Sequence, residues 1–173
     1  MFTPDTSVPL SEVIAKANRS IIKAKGDVDN YLTCIMLRFA GEEIQYVNAG
    51  HPDLIRKDSA NGIVPIKNDG TAVQGAFMGH EGMIEFFEET NHEYRFAMKK
   101  GDTFLLFTDG LIEAKSPDKT EFGMENIKRV LAEAPSNTTA AELIARFVDA
   151  GERHRSGAPL SDDITIVVVK VRA

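Results

Sequence analysis

Cysteine is almost missing from this 173-residue sequence: Cys34 is the only one. No internal disulfide can form, and no cysteine-based zinc cluster can be assembled. Such a chain reads as reduced and cytoplasmic, with Cys34 a small apolar residue inside a strand pattern. Long apolar runs are missing too. None approaches the roughly 20 residues of a membrane span, and Met1-Phe2-Thr3-Pro4-Asp5 has neither the basic nor the apolar stretch of a secretory signal. Positive charge is in deficit, with 20 Lys and Arg against 26 Asp and Glu, a net charge of -6 and a pI near 5.3. That balance argues against nucleic acid or an anionic membrane as the main partner. Internal repeats, low-complexity tracts and linkers are not seen, and 43% hydrophobic content over this length suits one globular domain, residues 1–173.

Several phosphate-handling signatures are also missing. There is no Gly-x-Ser-x-Gly elbow and no Walker-type loop. Dehalogenase-type phosphatases place two aspartates two residues apart at a strand tip; here Phe107 stands where the first would be, two before Asp109. The four histidines, His51, His80, His92 and His154, lack paired ligand spacing, so zinc is not suggested.

What is present is a helix, a block of strands, two helices and a last strand. Thr6 or Ser7 can cap a helix that Pro9 helps start, with Leu10, Val13, Ile14, Ala17 and Ile21 on one face and Gly26 at its end. Residues 31–39 read as a largely buried strand and 43–48 as a second. Residues 54–57 continue extended, and Asn61-Gly62 signals a hairpin. The glycine-rich stretch 68–83 reads as a loop. Residues 92–98 alternate as a half-buried antiparallel strand, and 103–108 form an apolar central strand. Residues 124–131 read as a short helix, Thr139 and Glu142 make a capping box for another, and 164–171 form the last strand. About seven strands with short connections and segregated helices predict an α+β fold, a sandwich of two antiparallel sheets flanked by helices.

The chemistry concentrates in two places. Asp109-Gly110 closes the strand Thr103-Phe104-Leu105-Leu106-Phe107, and Ser161-Asp162-Asp163 precedes Ile164-Thr165-Ile166. If these strands pair antiparallel, Asp109 meets Asp162 or Asp163 at one sheet edge. Taken alone, Asp109 is as good a turn-former as a ligand, and the Asp162–Asp163 pair as good a solvated turn. Together they make an oxygen-only set suited to Mg²⁺ or Mn²⁺, and two adjacent carboxylates need a counter-cation or solvent. His51, in Asn48-Ala49-Gly50-His51-Pro52, reads as a turn histidine or a substrate contact.

These stretches, in order, resemble one family. Residues 31–37, Asn48-Ala49-Gly50-His51-Pro52, Gly75 through Gly79, Gly101-Asp102 through Thr108-Asp109-Gly110-Leu111-Ile112-Glu113-Ala114, Phe122-Gly123-Met124-Glu125 and Asp162-Asp163-Ile164-Thr165 resemble the SpoIIE/RsbU-type group of metal-dependent serine/threonine protein phosphatases of the PPM superfamily. The resemblance implies a β-sandwich flanked by helices and a two-metal hydrolase. It implies that Asp109 and Asp162 are catalytic metal ligands, with Asp163 a further ligand at a position that varies in the superfamily. Two Mn²⁺ or Mg²⁺ would activate a shared water against phosphoserine or phosphothreonine. Implied partners are a phosphorylated STAS-domain anti-anti-sigma protein in sigma-factor partner switching and an upstream sensor or receiver domain, with no nucleic acid or membrane. The family also carries Gly-Asp-x-x-Gly-His-Gly before the first helix, and this sequence does not contain it. The expectation is therefore a domain lacking its N-terminal strands and first metal motif, with little activity alone and an unpaired edge through which it could form a homodimer. The rival reading is a non-catalytic regulatory module that holds a partner through the glycine-rich loop and residues 115–121. A calcium-binding structural domain is a third.

Overall fold

The computed structural model describes residues 7–26, 28–58, 62–68 and 71–172. In chain order the elements are α1 (Leu10–Lys25), β1 (Cys34–Ala40), β2 (Glu43–Ala49), β3 (Ile55–Asp58), β4 (Gly62–Pro65), β5 (Lys67–Asn68), β6 (Thr71–Ala72), β7 (Gln74–Gly75), a 3-10 turn (Glu81–Met83), α2 (Ile84–Thr90), β8 (Tyr94–Ala97), β9 (Thr103–Phe107), α3 (Asp109–Ile112), α4 (Gly123–Glu133), α5 (Ala140–Arg155) and β10 (Ile166–Lys170). They fall into two compact units, Met1–Asp53 with Lys67–Met98, and Leu54–Ile66 with Lys99–Ala173. Each has a sheet and helices, the two antiparallel sheets with flanking helices that the sequence predicts. No helix among the described residues is long and apolar enough to cross a membrane.

In the first unit β2 is central. It pairs antiparallel with β1 along its whole length and with β8 through Glu43–Tyr46, and its end pairs parallel with β7. That short parallel pairing departs from the purely antiparallel expectation. The apolar stripe of α1, Leu10 and Ile14 with Ala17 and Ile21, packs on Val47, Ala49, Met78 and Phe87. Pro9 stands at the N-cap, and no side chain caps the helix, so Ser7 does not play the expected part; Thr6 lies outside the described residues. Gly26 ends the helix at φ 56°, a conformation glycine takes without strain. The expected strand over 31–39 begins only at Cys34 and is half-buried rather than largely buried; Tyr31, ahead of it, is 67% exposed. Residues 68–83 are not one loop: β6, β7 and the 3-10 turn lie there, and α2 follows where no helix is predicted. Glycine-rich spacing hid those short elements. In β8 the alternation holds, with Tyr94 and Phe96 the inner side chains.

The second unit is ordered β10-β9-β3-β4. β9 lies between two partners and its Phe104, Leu105 and Phe107 are buried, as a central strand's apolar run requires. Leu105 and Phe107 join Ile127 and Leu131 of α4 and Leu143 and Phe147 of α5 in one core. Burying each such side chain stabilises by about 1.5–3 kcal/mol. α5 starts as predicted: Thr139 accepts from the Glu142 amide, and the Glu142 carboxylate accepts from the Thr139 amide at 2.7 Å. The Thr139 amide first, and then the Thr139 hydroxyl donating at 2.9 Å, hold the Glu142 carboxyl below its usual range. The β3–β4 hairpin runs as expected, although Asn61 itself lies outside the described residues.

Candidate metal centre at the end of β9

β10 runs antiparallel to β9, with Ile166 opposite Phe107 and Lys170 opposite Thr103. The end of β9 therefore meets the start of β10, and the carboxylate-bearing segments are neighbours. Thr108 fastens them. Its amide donates to the Thr165 carbonyl at 3.1 Å, its hydroxyl accepts from the Thr165 amide at 2.9 Å, and the same hydroxyl donates to the Asp163 carbonyl at 3.1 Å. Asp109 does not stand on a tight turn. It opens the short helix α3, with Thr108 as N-cap in extended conformation.

Gly110 is where the two segments touch. A Cβ built there would lie 2.5 Å from the Asp163 carbonyl oxygen and 3.4 Å from that of Asp162. Only a residue without a side chain lets α3 come this close to the Asp162–Asp163 backbone. Sequence reasoning missed the parts played by Thr108 and Gly110. Both lie in the Thr-Asp-Gly string, which carries no local signal of a long-range contact.

Asp109, Asp162 and Asp163 are all exposed. Asp109 Oδ1 accepts from the Gly110 amide at 3.0 Å, and Asp162 Oδ1 accepts from the Asp163 amide at 2.7 Å. Among the described residues no Lys, Arg or His lies within ion-pair distance of any of the three. Three carboxylates on adjoining backbone, unanswered by a cation, fit a hard divalent ion in donor chemistry. In number they fall short: among the described residues no group of three or more His, Cys, Asp or Glu gathers as a metal cage. Asp109 and Asp162 fit as part of a site.

Nearby, residues 115–121 form a built loop. The backbones of Lys115 and Glu121 pair in a single antiparallel β-bridge, the Ser116 amide donates to the Thr120 carbonyl at 2.9 Å, and the Ser116 hydroxyl donates to Asp118 and so keeps that carboxyl below its usual range. His154 of α5 bonds the Thr120 carbonyl at 2.9 Å. In the first unit, Asn48 and His51 close a reciprocal turn: the His51 amide donates to Asn48 Oδ1 at 2.8 Å and Asn48 Nδ2 donates to the His51 carbonyl at 2.9 Å. The His51 ring bonds the Thr33 hydroxyl at 3.0 Å. The turn is tied through Asn48 rather than through the imidazole.

The family model described as Stage II sporulation protein E (SpoIIE) matches residues 2–172. No curated protein sequence matches. Among solved structures, the manganese-soaked phosphatase domain of the cell-fate determinant SpoIIE from Bacillus subtilis is 16% identical with a TM-score of 0.60, over 93% of this chain and 66% of that one. The RsbU and RsbW domains of a Mycobacterium tuberculosis protein are 22% identical with a TM-score of 0.62, over 96% of this chain and 43% of that one. The catalytic domain of the serine/threonine phosphatase PstP, in complex with 2 manganese ions, is 18% identical with a TM-score of 0.65, over 100% of this chain and 74% of that one. The likeness is one of fold, and the chain spans under two thirds of two of these three proteins.

Proposed function

The chain belongs to the SpoIIE family of PP2C-type phosphatase domains, and we propose that it is a Mn²⁺- or Mg²⁺-dependent protein serine/threonine phosphatase domain whose metal-holding residues include Asp109 and Asp162. The observation that carries this reading is the junction of β9 and β10, where Thr108 and Gly110 hold both acid-bearing segments together and, among the described residues, no cationic side chain lies within ion-pair distance of the acids. Asp109 and Asp162 each keep one carboxylate oxygen clear of the neighbouring amide bond, and Asp163 is the accessory ligand. When bound, two such ions supply an activated water and neutralise charge on the phosphoryl oxygens. The role of this chain is to place the acids: Thr108 sets the register, and Gly110 allows the approach. The proposed substrate is a phosphorylated STAS-domain anti-anti-sigma protein, with a sensor or receiver domain as regulator. The resemblance supports both.

The 173 residues contain no Gly-Asp-x-x-Gly-His-Gly, so this chain alone holds metal weakly. The test measures hydrolysis of p-nitrophenyl phosphate and a phosphoserine peptide with Mn²⁺. Little turnover is expected from these residues alone. A protein joining this domain to that motif should be active, and Asp109→Asn or Asp162→Asn should cut its rate by about 100-fold or more. Full activity in either variant removes the assignment.

The shortage of candidate ligands among the described residues favours a second reading, a non-catalytic module that docks a regulatory partner on the built loop at 115–121. Absence of Mn²⁺-dependent turnover even with the motif attached would select it.

A further inference from the structure

We propose that the cavity beside the start of β9, between the β3–β4 hairpin, β10 and the turn joining α4 to α5, binds a small molecule with a dianionic oxyanion head, a phosphoryl group being the best match. The cavity measures about 360 Å³ and is lined by Lys57, Lys170, Thr103, Ile63, Ala132 and Leu143, among others. That volume lies within the roughly 300–1,000 Å³ of small-molecule sites.

The sheet register builds the site. Lys57 of β3 and Lys170 of β10 are both direct cross-strand partners of Thr103. Residues directly opposite on neighbouring strands project to the same face, so the two lysines flank one residue and share its side of the sheet. Lys57 Nζ donates to the Leu131 and Ala134 carbonyls, both at 2.6 Å. Lys170 Nζ donates to the Ser136 carbonyl at 3.0 Å and to that of Thr138. An ammonium has three protons, so each lysine keeps one for a ligand.

Neutral carbonyls do not cancel two positive charges. Among the described residues no carboxylate lies within ion-pair distance of Lys57 or Lys170. Two acids are near. Asp58 lines the cavity but holds Arg56 at 3.1 Å, and Glu142 feels the charge on Lys170 from beyond ion-pair distance while its carboxylate accepts from the Thr139 amide and hydroxyl at 2.7 and 2.9 Å. Burial, and then the charge on Lys170, push the Lys57 ammonium below its usual range, as expected of a cation pair short of a counter-charge. A phosphoryl head brings close to two negative charges and three acceptor oxygens. The site adjoins the first residue of β9, about 20 Å along the chain from Asp109 at strand rise, so it is separate from the acids.

The test is calorimetric titration of the whole 173-residue chain with inorganic phosphate and with glycerol phosphate, in EDTA and at constant ionic strength set by chloride. Saturable binding is expected with a Kd tighter than about 1 mM, unchanged by Asp109→Asn. Lys170→Gln should weaken it about tenfold. Ala132→Glu, which puts a carboxylate on the exposed rim and leaves both lysines' carbonyl bonds intact, should weaken it about threefold. Tighter binding of glycerol phosphate identifies a phosphorylated small molecule as occupant; tighter binding of phosphate identifies the free ion. No saturable binding of either probe, or binding indifferent to Ala132→Glu, overturns the proposal; that variant decides the matter if Lys170→Gln does not fold.

Discussion

Asp102 and Asp109 bracket the same strand, and their surroundings are opposites. Asp102 is 1% exposed; its carboxylate accepts from Arg56 at 2.7 Å and from the Lys99 amide at 2.8 Å, while its backbone exchanges bonds with the loop and with Val171. Arg56 is shared with Asp58 at 3.1 Å. Asp109 is exposed and meets no positive side chain within ion-pair distance among the described residues. A buried carboxylate has to be paired, because desolvation would otherwise cost several kcal/mol. An exposed one can stay unpaired and remain open to a ligand. At the start of β9 the acid is locked into the fold; after its end the acid is exposed and, among the described residues, unpaired.

Substitution at both ends is the most demanding test of that contrast. Asp102→Ala leaves Arg56 to Asp58 alone and takes the acceptor from the Lys99 amide, and should cost about 2–3 kcal/mol of stability. Asp109→Ala should change stability by less than about 0.5 kcal/mol. Urea denaturation of both variants measures the pair, and equal losses would break the distinction. Gly110→Ala is next in size. Its methyl would press on the Asp163 carbonyl at 2.5 Å, where backbone has to give, so a loss of about 1–3 kcal/mol is expected. The same variant should also weaken Mn²⁺ binding, since α3 would move away from Asp162. Wild-type stability and metal affinity in Gly110→Ala would mean that the two segments are not held against each other.

The smallest effect is a pH dependence at the Asp102 end. Lys57 has a folded-state pKa lowered by burial and then by Lys170, against a usual value of 10.5. The unfolded chain binds that proton more tightly, so stability rises with pH between the lowered folded value and 10.5. Urea midpoints of wild type and Lys57→Gln at stepped pH isolate the contribution as their difference. A difference that falls with rising pH would reverse the sign and remove the desolvation argument.

Local features were readable where local physics sets them. The Thr139–Glu142 capping box, the glycine stop after α1, the alternation of β8 and the apolar run of β9 all form as the residues indicate. Elements of two or three residues, such as β6 and β7, were not readable, because their pairing partners rather than their own propensities create them. The same holds for Asn18, a polar residue on the apolar face of α1. It is buried because its Oδ1 accepts from the Gly79 amide at 2.7 Å, a contact made 61 residues away.

The residues by themselves determined that Asp109 follows an apolar strand and that Asp162 and Asp163 precede another, because hydrophobic runs and turn chemistry are written within a few positions. Only the tertiary structure decided that Thr108 and Gly110 join those ends, that Asp102 is sealed against Arg56, and that Lys57 and Lys170 flank Thr103. Each of those facts depends on strand register, and register is set by which faces become buried across long separations in the chain rather than by any neighbouring residue.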